Sequence, residues 1–258
     1  MMHGPASCVC PVLRPSIPLV PPERGAMLAG RGGIRMMQAA TQHYWVEPVF
    51  DRHGAGMFGK YWGVSEEEAI QRTELLVSQW SEKETGYKDS WRPETVEGKA
   101  KWIRANENAI SICDMTGHCD AYSGRVPHAG GRWGIQEAAD SLRAATGETW
   151  TSEGLQEACQ RKRMLETSYN ILCERMIGEI PEVSAATFRA MNEPVKNGPF
   201  KGQDFDLEKS EKVGEDYCEL RGCDPDTGVP TREALEKVGL KDLAQKLEES
   251  EDMDIAGT

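Results

Sequence analysis

The sequence predicts an all-α domain with long irregular loops. Three observations carry this: apolar residues recur at helical spacing in several segments, capping signals bracket those segments, and no alternating strand pattern of useful length occurs. Residues 1–42 lack periodicity and hold several prolines and glycines, which reads as a disordered or misassigned tail. The ordered helical domain is expected over 43–247, followed by a frayed acidic tail over 248–258.

The elements follow in order. Ser65 and Glu68 form a capping box, in which the hydroxyl and the carboxylate satisfy each other's orphan amides. Ala69, Ile70, Thr73, Leu76, Val77 and Trp80 then recur at helical spacing, and Gly86 is a stop. A second helix is expected after Pro93, running to about Cys113. A third spans Ile135 to Thr146, with a narrow stripe of Ala138, Ala139, Leu142 and Ala145 and a terminating Gly147. The longest opens at Thr151 or Ser152 and carries Leu155, Ala158, Cys159, Leu165, Tyr169, Leu172, Cys173 and Met176. Loop chemistry fills Gly178 to about Lys209, before a short helix around Glu215–Arg221 and a turn at Asp224–Gly228. Thr231 caps a helix ending at Gly239, and Leu240, Leu243 and Leu247 mark a final one.

Composition narrows the function. The net charge is −12 with 28% charged residues, and no basic stripe with interleaved aromatics is present, which argues against nucleic acid as a partner. No apolar run approaches the ~20 residues that span a bilayer, and the proline-broken start is a poor secretory signal. Eight cysteines, two of them inside strong helical patterns, read as reduced thiols in a cytoplasmic protein. The glycine-rich run from His53 to Gly59 lacks the Lys-Ser/Thr pair of a phosphate loop.

The stretch Cys113-Asp114-Met115-Thr116-Gly117-His118-Cys119-Asp120 carries the chemistry. It lies where a helix is expected to give way to a loop. Gly117 permits a tight turn or a close approach to a ligand. A carboxylate accepts the N–H donors of a pterin or guanine-like ring, and a thiolate is a soft ligand for iron. Asp114 has a plain alternative as a helix terminator, and Cys119 as a structural thiol. A zinc site from Cys113, His118 and Cys119 lacks a paired cysteine knuckle.

Asp114-Met115-Thr116-Gly117-His118-Cys119 resembles the Asp-x-x-Gly-Leu-Cys motif of the aldehyde:ferredoxin oxidoreductase family, with histidine in the leucine position. Ala144-Ala145-Thr146-Gly147 with Trp150-Thr151 is similar to that family's AATG-x-x-WT stretch. Leu165-Glu166 with Tyr169-Asn170 looks like its Leu-Glu and aromatic-Asn helix, and Glu193-Pro194, Gly198-Pro199 and Lys201-Gly202 like its proline-glycine loop. Tyr217-Cys218-Glu219-Leu220-Arg221-Gly222-Cys223-Asp224 is similar to YYELRGWD, with cysteines in two aromatic positions. Gly228-Val229-Pro230-Thr231 and Gly239-Leu240 complete the order, so the likeness covers about residues 100 to 245 and extends toward 45.

The resemblance implies a helical C-terminal domain of a tungsten (or molybdenum) bis-pterin enzyme that oxidises aldehydes to carboxylic acids and passes electrons to ferredoxin. It implies a pterin contact at Asp114, flanked by Gly117 and His118, and a 4Fe–4S ligand at Cys119. The family's other three cluster cysteines have no counterpart in this sequence, since Cys8-Val9-Cys10 has the wrong spacing. One cysteine cannot hold a cubane that needs four ligands. The expectation is therefore a fragment or a split subunit, partnered by the N-terminal and middle domains or by a chain carrying them. The rival is a helical remnant or assembly subunit without cofactor. The acid–base residue is not assigned; His43 and His53 are the upstream candidates, and a surface position accounts for each. Tyr217 and the Arg221-Gly222 turn read as structural, and Tyr169 and Asn170 as either cofactor neighbours or core.

Overall fold

A computed structural model describes residues 63–92, 95–117, 135–177, 194 and 207–255. Its elements are α1 (Glu66–Thr85), α2 (Lys99–Thr116), α3 (Ile135–Thr146), α4 (Ser152–Ile177), α5 (Leu207–Arg221), α6 (Arg232–Lys237) and α7 (Lys241–Ile255). Among the described residues there is no strand, and one antiparallel bridge joins Cys223 to Pro230. The all-α expectation holds.

Helix α2 is the hub, packing against α1, α3, α4 and α5, while α4 also meets α3 and α7. Three apolar clusters result. Met164 and Ile171 of α4 bury against Tyr217, Leu235, Ala244 and Leu247. Ile112 of α2 meets Ala138, Ala139, Leu155 and Cys159. Val77 of α1 closes on Trp91 and Trp102, with Trp80 edge-on to Trp102 at 4.6 Å between ring centroids.

Local chemistry sets the boundaries. The Ser65 hydroxyl accepts from the Glu68 amide at 3.2 Å, and Gly86 ends α1 in the left-handed conformation (φ 79°). Hydroxyls line the buried edge beyond: Ser81 and Ser90 share a hydrogen bond of 2.6 Å, and Thr85 donates to the Ser81 carbonyl at 2.7 Å. The Trp91 indole donates to Ser78 at 3.1 Å, so these polar groups are buried with partners. Thr151 caps α4 by accepting from the Gly154 amide at 3.1 Å, and Thr231 caps α6 through the Ala234 amide at 3.2 Å.

Three boundaries differ from the sequence reading. Helix α2 begins at Lys99 and continues through Thr116, so Asp114 lies in its last turn rather than in a loop. Helix α5 starts at Leu207, two turns before the expected Glu215. The acidic stretch from Glu248 continues in helical form, since α7 runs to Ile255. There Glu248 accepts from Arg232 Nε at 2.7 Å, and buried Ser250 accepts from Arg175 at 2.6 Å.

The turn after α5 is built by Asp224, whose Oδ1 accepts from the amides of Asp226 (3.0 Å) and Thr227 (2.7 Å). Gly222 opens it at φ 72°, and a Cβ there would stand 2.6 Å from the Ala234 Cβ. Both the backbone conformation and the space therefore demand glycine. Gly222→Ala is expected to destabilise the chain by about 2 kcal/mol or more, combining the left-handed penalty with overpacking. Urea unfolding of the full chain measures it; an unchanged midpoint would contradict the tight α5–α6 packing.

Candidate functional site

Asp114 projects from the last turn of α2, with its side chain 35% exposed. A carboxylate there faces the negative end of the helix dipole, and that turn holds no basic residue of its own. The compensating charge comes from α4. Lys162 Nζ lies 3.3 Å from Asp114 Oδ2 and 2.8 Å from Glu166 Oε1, and its side chain is 16% exposed. Lys162 thus bridges two carboxylates, Asp114 across the α2–α4 seam and Glu166 one turn along its own helix.

Gly117 caps α2 at φ 73°, and nothing lies within 4 Å of where its Cβ would be. The left-handed conformation of this capping residue is one that glycine adopts without steric cost. His118 and Cys119 lie outside the described residues, as do Cys8, Cys10, His43 and His53, the Glu193 and Gly198–Gly202 parts of the proline-glycine loop, and the side chain of Cys113.

Deeper along the same face of α2, two turns before Asp114, Glu107 is enclosed by basic residues from two other helices. Arg221 Nη2 donates to its Oε2 at 2.7 Å, the Tyr217 hydroxyl donates to the same oxygen at 2.5 Å, and Arg163 Nη2 sits 3.4 Å from Oε1. Arg221 is further held by Gln160 at 2.8 Å and Asn108 at 3.2 Å. Burial alone would raise the Glu107 carboxyl, but Arg163, Arg221 and the Tyr217 phenol outweigh it and hold it below its ordinary value. Burial also raises the Tyr217 phenol to about 12, so it stays a donor. Tyr217 and Arg221 are buried within this network, which agrees with a structural reading of both. Glu107 and Arg163 were not anticipated, because each looks like an ordinary polar residue until the helices are packed.

The described cysteines are free thiols. Burial raises Cys159 to about 11 and Cys223 to about 12, and the Cys159 thiol donates to the Asn108 carbonyl at 3.5 Å. Such protonated thiols are poor nucleophiles and poor ligands, which suits core packing. Tyr169 does not join the core. It is 67% exposed, on a face shared with Leu165 at 44% and Met176 at 80%. Among the described residues no group of three or more His, Cys, Asp or Glu converges as a metal site, and no helix is long and apolar enough to cross a membrane.

Comparison with known proteins gives an independent result. The family model for aldehyde ferredoxin oxidoreductase, domains 2 & 3, matches residues 48–240. No curated protein and no solved structure matches the chain. The match covers three-quarters of the sequence and contains Asp114, Gly117, His118, Cys119 and the buried Glu107 network. The chain is an all-α member of the aldehyde ferredoxin oxidoreductase family.

Proposed function

We propose that this chain provides the C-terminal helical part of a tungsten-pterin (or molybdenum-pterin) oxidoreductase that converts aldehydes to carboxylic acids with ferredoxin as electron acceptor. Asp114 contacts a pterin, flanked by Gly117 and His118, and Cys119 gives one ligand to a 4Fe–4S cluster. The remaining three cluster ligands and the rest of the pterin cradle come from N-terminal and middle domains outside this sequence or from a separate subunit. A cytoplasmic setting agrees with free thiols.

The observation that carries the reading is the placement of Asp114. Its ion pair with Lys162 holds the carboxylate at the α2–α4 seam, and a carboxylate's acceptor oxygens suit the amino and ring N–H donors of a pterin. Gly117 ends that helix, and His118 and Cys119 follow it directly in the sequence. When bound, the metal-pterin and cluster supply the redox chemistry; the protein's share is binding, orientation and electrostatics. Within this chain Asp114 binds, Lys162 and Glu166 set the charge around it, and the Glu107 network holds α2 against α4 and α5.

Co-expression with the neighbouring reading frames, followed by metal analysis of the purified complex, tests this. Tungsten or molybdenum together with iron is expected to co-purify. A pure, folded complex lacking both would return the chain to the class of helical subunits without cofactor. Stoichiometric zinc in the isolated chain would instead favour a small zinc module.

A further inference from the structure

We propose that Lys162 is the positioning residue for Asp114, and that Glu166 holds Lys162 in place for that task. This rests on the reading of Asp114 as the pterin-binding carboxylate. A carboxylate in the last turn of a helix is in the wrong place electrostatically, because the unsatisfied carbonyls there are themselves negative. In α2 that turn contains Asp114 and no basic residue. The ion pair recorded for Asp114 comes from α4, through Lys162 at 3.3 Å.

Lys162 is mostly enclosed, so its charge is less screened than that of a surface lysine. It lies nearer to Glu166, one turn along α4, than to Asp114, at 2.8 Å against 3.3 Å. That asymmetry has a functional consequence. The lysine stays anchored by Glu166 while Asp114 exchanges part of its contact for N–H donors of an arriving ring. Lys162 therefore orients the carboxylate without competing to the end for it. Glu166 belongs to the Leu165-Glu166 pair already singled out in the sequence, and the structure gives it this task.

The test is a titration of the full chain with 6-hydroxymethylpterin, read by quenching of pterin fluorescence, with thermal melting run alongside. The wild-type chain is expected to give saturable quenching, and Asp114→Asn to abolish it. Lys162→Met is expected to weaken binding about tenfold, the low end of the loss seen when a residue that orients a metal ligand is removed. Lys162→Arg restores the charge and is expected to restore most of the affinity, a rescue that loss of packing alone would not show. Should Lys162→Met fail to fold, Lys162→Gln stands in for it, since it keeps the polar stem and removes the charge. Wild-type affinity in a folded, uncharged Lys162 variant, beside a non-binding Asp114→Asn, would overturn the positioning role alone. Binding that survives Asp114→Asn, or no saturable binding by the wild-type chain, would overturn the Asp114 reading and the Lys162 role with it.

Discussion

Glu107→Ala is expected to lower the stability of the chain by about 3–5 kcal/mol, the range for breaking a buried ion pair by removing one partner. The reason is what the substitution leaves behind. Arg221 and Arg163 are almost fully enclosed, with side chains 1% and 9% exposed, and both are directed at this one carboxylate. Two guanidiniums would then share a low-dielectric site with no anion between them, and the Tyr217 hydroxyl would lose its acceptor. Glu107→Gln keeps the shape and one acceptor but removes the charge, so it should fall between wild type and alanine. Urea unfolding measures both, with an unchanged slope showing that stability rather than compactness has moved. A loss below about 1 kcal/mol would mean that the network is solvated rather than buried.

The same network sets an acid limit. The Glu107 carboxyl is held below its ordinary value of 4.5 in the folded chain. Its stabilising share is therefore present above the unfolded value and is lost as pH falls through the lowered folded value. Acid unfolding of the wild-type chain should accordingly include a component below pH 4.5 that Glu107→Gln abolishes.

How much of this was legible before folding depends on the range of the interactions. Helix α3 and the caps at Ser65, Gly86 and Thr231 are written within four residues of where they act, and the sequence reading placed them correctly. The first half of α5 is different. Leu207–Gly214 offers little periodicity, yet it is helical with Val213 buried, despite the low helix propensity of Gly214. The last turns of α7 look like a solvated acidic tail, but Arg232 and Arg175 reach them from α6 and α4. In α4 the expected apolar face was partly the wrong one. Arg163, Thr167 and Ser168 take buried positions, while Leu165, Tyr169 and Met176 are exposed. Arg163 can occupy its core position because Glu107 on α2 pairs with it, and that partner is invisible in one dimension. The candidate site divides along the same line: Asp114 and Gly117 are readable as a local motif, whereas Lys162 comes from another helix.

On the proposed reading, Cys119→Ala in the assembled complex is expected to eliminate the four-iron signal in the EPR spectrum of the reduced protein. A cubane cluster is held by four thiolates, and alanine offers no donor. Two comparisons make the result specific. Cys159→Ala should leave the signal intact, because that thiol is buried beside Ile112 and Leu155 and donates to the Asn108 carbonyl. Asp114→Asn is nearly isosteric but replaces an acceptor-only carboxylate with an amide that also donates, so it should deplete the pterin and its metal more than the cluster iron. The three variants therefore separate the two centres: thiol loss strikes iron, carboxylate loss strikes pterin, and a core thiol strikes neither. An intact four-iron signal in Cys119→Ala would detach the cluster from this chain, and Cys119 would lose its redox role.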